Sequence, residues 1–180
     1  MQEDYHENGY GKYHFNEGEI MIFVTVGNGE FDAMTEEVDH LKAQDIIKEK
    51  IVLQIGHGKY IPKHCEWFKF QPSLEQYYDQ ADLIISHGGP GVVFEVLRKK
   101  KKLIALPNRE RTDPNHQVEY LKAIAEESSA LLYCDNVSEL KECIKKAKTY
   151  HFAIYREPSC SIHTVISQFL SRRDRTDNYK

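Results

Sequence analysis

Cysteine is scarce in this chain of 180 residues: there are 4, at positions 65, 134, 143 and 160, with no C-x-x-C pair among them. That spacing argues against a zinc ribbon and a disulfide framework and suits a reducing, cytoplasmic setting. No apolar run reaches the roughly 18 residues a membrane-spanning helix needs, and no signal-peptide core opens the chain. Positive charge is not in excess either. Lys and Arg number 24 against 28 Asp and Glu, a formal net charge of −4, so nothing general favours nucleic acid as a partner. Internal repeats, low-complexity tracts, an Asp-x-Asp motif and the G-x-G-x-x-G dinucleotide fingerprint are all missing. His57, His64, Cys65, His87 and His116 fall at spacings that match no usual zinc pattern, so no metal site is expected.

What remains is an ordinary globular composition, 41% hydrophobic and 29% charged, long enough for one self-sufficient core. Its cations are clustered, in the run Arg98 to Lys102 and at Arg172, Arg173 and Arg175. The first run is either a solvated helix end facing the negative pole of its dipole or a contact for phosphate or an anionic membrane.

Residues 1–19 are polar and aperiodic and read as a poorly ordered extension. Residues 20–172 read as one domain, and 173–180 as a polar tail. Short, largely apolar runs at 20–26, 51–56, 82–86, 102–107 and 130–134 read as strands of a buried sheet, with a weaker strand at 66–70. Between them lie helical patterns. Phe31, Met34, Val38 and Leu41 share one face, Ser73 and Gln76 suggest a capping box, and Asp113 as N-cap with Pro114 at the first position starts a helix. Further helices are expected over 91–99 and 137–148. A closing helix carries Ile162, Val165, Ile166, Phe169 and Leu170 on one stripe, expected to cap the sheet or to dock a partner. Alternation of this kind means βαβ units: an α/β, Rossmann-like parallel sheet with helices on both faces. Ligands of such sheets sit at the carboxyl ends of the strands.

Three loops at that edge carry chemistry. Val26-Gly27-Asn28-Gly29-Glu30 follows the first strand, and its glycines permit either a plain turn or close approach of N–H groups to an anion. Ser86-His87-Gly88-Gly89-Pro90-Gly91 joins a strand to a helix N-terminus, where unpaired N–H groups and the helix dipole suit a diphosphate. Glu95, one turn further on, is either a solvated acid or an acceptor for ribose hydroxyls. The stretch 108–117 ends in Asn115, His116 and Gln117, neutral groups that suit sugar hydroxyls, although a helix-start histidine can equally lack a role.

Taken in order, MIFVTVGNGEFD, ADLIISHGGPGVVFE and DPNHQVEYL resemble the C-terminal, donor-binding domain of MurG-type glycosyltransferases. They are most similar to its short stand-alone forms: the PssE-like exopolysaccharide subunits and the cytosolic subunit of the dolichol-linked N-acetylglucosaminyltransferase. The resemblance implies one half of a GT-B enzyme. Gly27 and Asn28 would face the diphosphate, and the backbone of Phe70 and Gln71 would meet the uracil. His87, Gly88, Gly89, Pro90 and Gly91 would line the diphosphate loop, Glu95 would hold ribose, and His116 and Gln117 would contact the donor sugar. Asn28 replaces the usual Thr or Ser, and Val92 stands where long forms often carry a hydroxyl. The implied partners are a UDP-sugar, a membrane-associated acceptor-binding subunit supplying the general base, and through it a lipid-linked acceptor, with this chain recruited to the membrane surface by that subunit. No cofactor or metal is implied. The alternative is a non-catalytic nucleotide-sugar-binding or stabilising module of another transferase.

Overall fold

The computed structural model describes residues 18, 20–109, 114–157 and 162–173; the expected N-terminal extension, the loop at 110–113 and the polar tail lie otherwise outside them. Strand β1 (Met21–Thr25) is buried at every position, as the unbroken apolar run predicts for a strand covered on both faces. It is followed by α1 (Asp32–Ala43), β2 (Lys50–Gln54), β3 (Glu66–Phe68), α2 (Glu75–Gln80), β4 (Leu83–His87) and α3 (Pro90–Arg98). Then come β5 (Leu103–Leu106), α4 (Pro114–Ser128), β6 (Leu132–Tyr133), a 3-10 turn (Val137–Glu139), α5 (Leu140–Ala147) and α6 (Ile162–Arg173).

The strands form one parallel sheet in the order β3-β2-β1-β4-β5-β6. From β1 the chain winds outward through β2 and β3, then returns to lay β4 against the other edge of β1. That reversal is the topological switch point of a doubly wound sheet, where ligands of such sheets bind in the crevice outside the strand ends; here it sets the loops that leave β1 and β4 side by side. Each face has its own core. Ile22, Val24, Leu53 and Ile85 pack under α1 and α5 with Met34, Val38, Leu41, Leu140 and Ile144. Phe23, Val52, Ile84, Leu103 and Ala105 pack under α2, α3 and α4 with Tyr77, Tyr78, Val93, Val96 and Leu121.

Five expectations need correction. The weaker strand stops at Phe68, and β6 keeps only two ladder residues. Helix α3 starts at Pro90, so Pro90 and Gly91 belong to its first turn; proline there removes no intrahelical bond, because that N–H would have had no acceptor. Ser73 sits one residue outside the cap of α2, where Leu74 is the N-cap, and its hydroxyl accepts the Glu75 N–H at 3.2 Å. Of the stripe on α6, Ile162, Ile166 and Phe169 are exposed, so these three do not cap the sheet. An apolar stripe shows that a helix needs cover, and here the chain's described residues do not supply it.

Candidate functional site

The first loop leaves β1 through a buried hydrogen-bond network. Gln54, the last residue of β2, sits opposite Thr25 in the ladder. The Thr25 hydroxyl donates to Gln54 Oε1 and accepts the Gly27 N–H at 3.1 Å. The Gln54 amide nitrogen donates to two carbonyls, Gly27 O at 2.8 Å and Lys69 O at 2.9 Å. One buried side chain therefore ties the loop after β1 to the loop leading into Phe70 and Gln71, both half-buried. Gly27 is obligatory twice over. Its φ is +60°, and a Cβ there would lie 2.9 Å from His87 Cε1 and 3.2 Å from Val92 Cγ2, which only glycine avoids. Asn28, at the tip of this loop, is exposed.

The second loop closes on the first. His87 is buried, 7% exposed, with its ring edge against both glycine segments: a Cβ on Gly89 would fall 2.3 Å from His87 Nε2. The Gly89 N–H turns back to His87 O at 2.8 Å, and the first bond of α3 is Val93 N–H to Gly89 O at 3.0 Å. The N–H groups of Gly91 and Val92 therefore precede the helical ladder and have no intrahelical acceptor, and they stand at the positive end of the helix dipole. A Cβ at Gly91 would meet nothing within 4 Å, so this turn faces open space. Glu95 is exposed one turn further along α3.

The third segment joins from β5 and α4. Gln117 is buried, and its Oε1 accepts the Asn108 N–H at 2.8 Å. Beneath it lies Gly88, where a Cβ would be 3.0 Å from Gln117 Oε1 and 2.7 Å from Leu121 Cδ1. Tyr120, one turn further on, donates its hydroxyl to Gly88 O; burial holds this phenol above the ordinary tyrosine range. Asn108 Nδ2 reaches across to Glu30 O at 2.8 Å, closing a ring of contacts through all three segments. His116 is exposed at the start of α4, its ring 6.2 Å from that of Tyr120. Asp113, the expected cap of α4, lies outside the described residues.

The structure therefore brings together Gly27, His87, Gly88, Gly89 and Gln117 by direct contact. Phe70 and Gln71 are linked to them through Gln54, and Glu95 and His116 stand one turn or less from the crevice on α3 and α4. Sequence reasoning missed Thr25, Gln54, Asn108 and Tyr120. A polar residue ending an apolar run, as in KIVLQ, was the available signal for Gln54, because a polar side chain on a doubly buried strand must be satisfied by something near it.

Beside the crevice, the loop after β2 is strapped to α1 by two carboxylates. Asp32 accepts the Lys59 N–H at 3.0 and 3.1 Å. Asp39, 1% exposed, accepts Lys63 N–H and Tyr60 OH at 2.9 Å each and His64 N–H at 2.8 Å. Burial alone would push the Asp39 carboxyl up, but these donors outweigh it and hold it below the ordinary range. Burial and the Asp39 charge push the neighbouring Cys65 thiol up to about 12. Among the described residues, no three His, Cys, Asp or Glu side chains are grouped to hold a metal ion, and no helix is long and apolar enough to cross a membrane.

The basic run lies at the opposite end of the sheet. Lys99 pairs with Glu75 and Asp79 at 3.1 and 3.0 Å, and Lys101 donates to Asp79 O and Ala81 O. Arg98 pairs with Glu157. Three of the five cations are thus engaged within the fold, which favours the helix-end reading of this run.

Comparison with known proteins agrees with this fold. Residues 21–167 match the model of the glycosyltransferase family 28 C-terminal domain. The chain is 35% identical over 124 residues to the human UDP-N-acetylglucosamine transferase subunit ALG13, covering 63% of this chain and 11% of that protein. It is 29% identical over 121 residues to the Debaryomyces hansenii subunit of the same name, covering 63% of this chain and 55% of that one. The chain thus spans about a tenth of the human relative's length and about half of the yeast one's. Among solved structures, an NMR structure of ALG13 superposes with TM-score 0.55 at 16% identity, covering 77% of this chain and 90% of that one. Acinetobacter baumannii MurG superposes with TM-score 0.52 at 20% identity, covering 77% and 47%. These two show the fold.

Proposed function

This chain belongs to the glycosyltransferase family 28 C-terminal domain family, and we propose that it is the donor-binding subunit of a two-subunit inverting glycosyltransferase. It holds a UDP-sugar, a hexose or N-acetylhexosamine donor, for transfer to a lipid-linked acceptor in polysaccharide or glycan assembly. The observation that carries this reading is the convergence of three loops on one crevice at the switch point. There, Gly91 and Val92 N–H groups lie outside the helical ladder at a helix start, an arrangement suited to a diphosphate.

In this reading Gly27, Asn28, His87, Gly88, Gly89, Pro90 and Gly91 surround the diphosphate. Phe70 and Gln71 meet the uracil, Glu95 holds the ribose hydroxyls, and His116 and Gln117 address the sugar. Transfer proceeds by attack of an acceptor hydroxyl oxygen on the anomeric carbon as the bond to UDP breaks. The hydroxyl proton passes to a general base on a membrane-associated partner subunit. Negative charge grows on the departing diphosphate, and N–H groups fixed in advance at the start of α3 stabilise it without a metal. The uncovered stripe of α6 is the surface offered to that partner, which brings the chain to the membrane.

Calorimetry with UDP, UDP-GlcNAc and UDP-galactose tests the reading. UDP binding by the chain alone, with transfer only when the partner is added, is the expected result. Absence of binding in either state would leave a stabilising module instead, and transfer by the lone chain would remove the partner requirement. Glu95→Gln is expected to weaken UDP binding by about 1.5–3 kcal/mol, the worth of a charge-assisted hydrogen bond; unchanged affinity takes Glu95 out of the site.

A further inference from the structure

We infer that Asn108 is a positioning residue, one that sets the shape of the nucleotide crevice from beneath without touching the ligand. The inference rests on the donor-binding reading above and adds to it a residue outside the glycine loops. Asn108 is 3% exposed, so a bound ligand has almost no access to it. Two of its hydrogen bonds reach two different walls. The side-chain Nδ2 donates to Glu30 O at 2.8 Å, on the loop leaving β1, and the backbone N–H donates to Gln117 Oε1 at 2.8 Å, on the first turn of α4. Gln117 in turn fills the space over Gly88, and Gly88 leads into the first turn of α3.

The loop after β1 is consequently held at both ends by side-chain amides from opposite sides of the sheet. Gln54 of β2 holds its Gly27 carbonyl, and Asn108 after β5 holds its Glu30 carbonyl. Pinning those carbonyls fixes the planes of the peptides around them, and so the directions of the N–H groups in between. A preset array of donors binds an anion without a further ordering cost. Losing the Asn108 amide frees one end of the loop while leaving every ligand-facing group in place.

The test uses Asn108→Ala and Asn108→Asp, the second keeping the size and removing the donor, each studied at 25 °C where circular dichroism shows it fully folded. UDP affinity by calorimetry is expected to fall about tenfold in both, the equivalent of one net hydrogen bond. In the free proteins, amide NMR resonances of Gly27, Asn28 and Gly29 are expected to shift while those at the far end of the sheet, near Lys100, stay put. Affinity within twofold of the parent in both variants overturns the inference. Unmoved Gly27–Gly29 amides with lowered affinity overturn it too, because Asn108 would then act on the ligand directly. If the unaltered protein itself fails to bind UDP, the donor-binding reading falls, and the amide shifts still decide whether Asn108 sets the loop.

Discussion

The two ends of the sheet treat their polar groups in opposite ways. At the amino end, Lys99 and Lys101 bind the carboxylates and carbonyls of α2 and the turn after it, and Arg98 holds Glu157. At the carboxyl end the neutral amides of Gln54, Asn108 and Gln117 are buried and bonded, while backbone N–H groups at the start of α3 precede their ladder. In the donor-binding reading proposed above, formal charge is therefore a poor guide to where an anion would bind. The conspicuous cations are structural, and the bonding capacity left for a ligand belongs to backbone donors whose directions are fixed by buried side chains.

That contrast can be broken at four points. The largest effect is expected from Gly27→Val, which puts a β-branched residue at φ +60° with its Cβ 2.9 Å from His87. UDP affinity measured by calorimetry should fall at least a hundredfold, about 2.7 kcal/mol, through displacement of both glycine loops. Gln54→Leu comes next. It strips Gly27 O and the Thr25 hydroxyl proton of a partner and leaves Lys69 O with the Gly56 N–H, and each buried orphan costs about 1–3 kcal/mol. Urea denaturation should register a loss of about 2–4 kcal/mol, with weakened UDP binding in the protein that remains folded.

Asp39→Asn sharpens the comparison with the strap beside the site. Because the folded carboxyl sits below its ordinary range, its stabilisation is complete above about pH 4 and is lost as pH falls through the lowered value. The substitution should cost about 1–2 kcal/mol at pH 7 and flatten that part of the acid limb. Cys65 should also react faster with iodoacetamide at pH 8, since the Asp39 charge helps to hold its thiol up near 12. The smallest effect belongs to the amino end. Lys99→Ala should leave UDP affinity unchanged and move the melting temperature by no more than about 2 °C, as expected for exposed ion pairs.

Much of this was legible in the residues. The apolar runs located the strands, their alternation with helical patterns implied a parallel sheet, and the glycine clusters marked the loops that meet at the switch point. What stayed hidden depends on partners distant in sequence. Gln54 matters because the register sets it opposite Thr25, and Asn108 because Glu30 lies across the crevice; the KIVLQ ending marks Gln54 as a residue in need of partners, but no local pattern names the partner of either. The strand expected at 130–134 is longer than its two ladder residues because burial extends beyond hydrogen bonding: Ala130, Leu131 and Cys134 are all in the core. The stripe on α6 was visible, but the identity of its cover was not.

The central place of β1 has a consequence for synthesis on the ribosome. One of its edges is completed early by β2, but the other pairs with β4, beginning some sixty residues downstream. At about 5–20 residues per second, that edge waits roughly 3–12 s for its neighbour to emerge. During this interval a nascent chain presents a five-residue strand, four of its residues apolar, with unpaired peptide groups along that edge, a template for clumping with sister chains. Chaperone dependence during translation, more than stability afterwards, is where slow codons or truncations between α1 and β4 would first be felt.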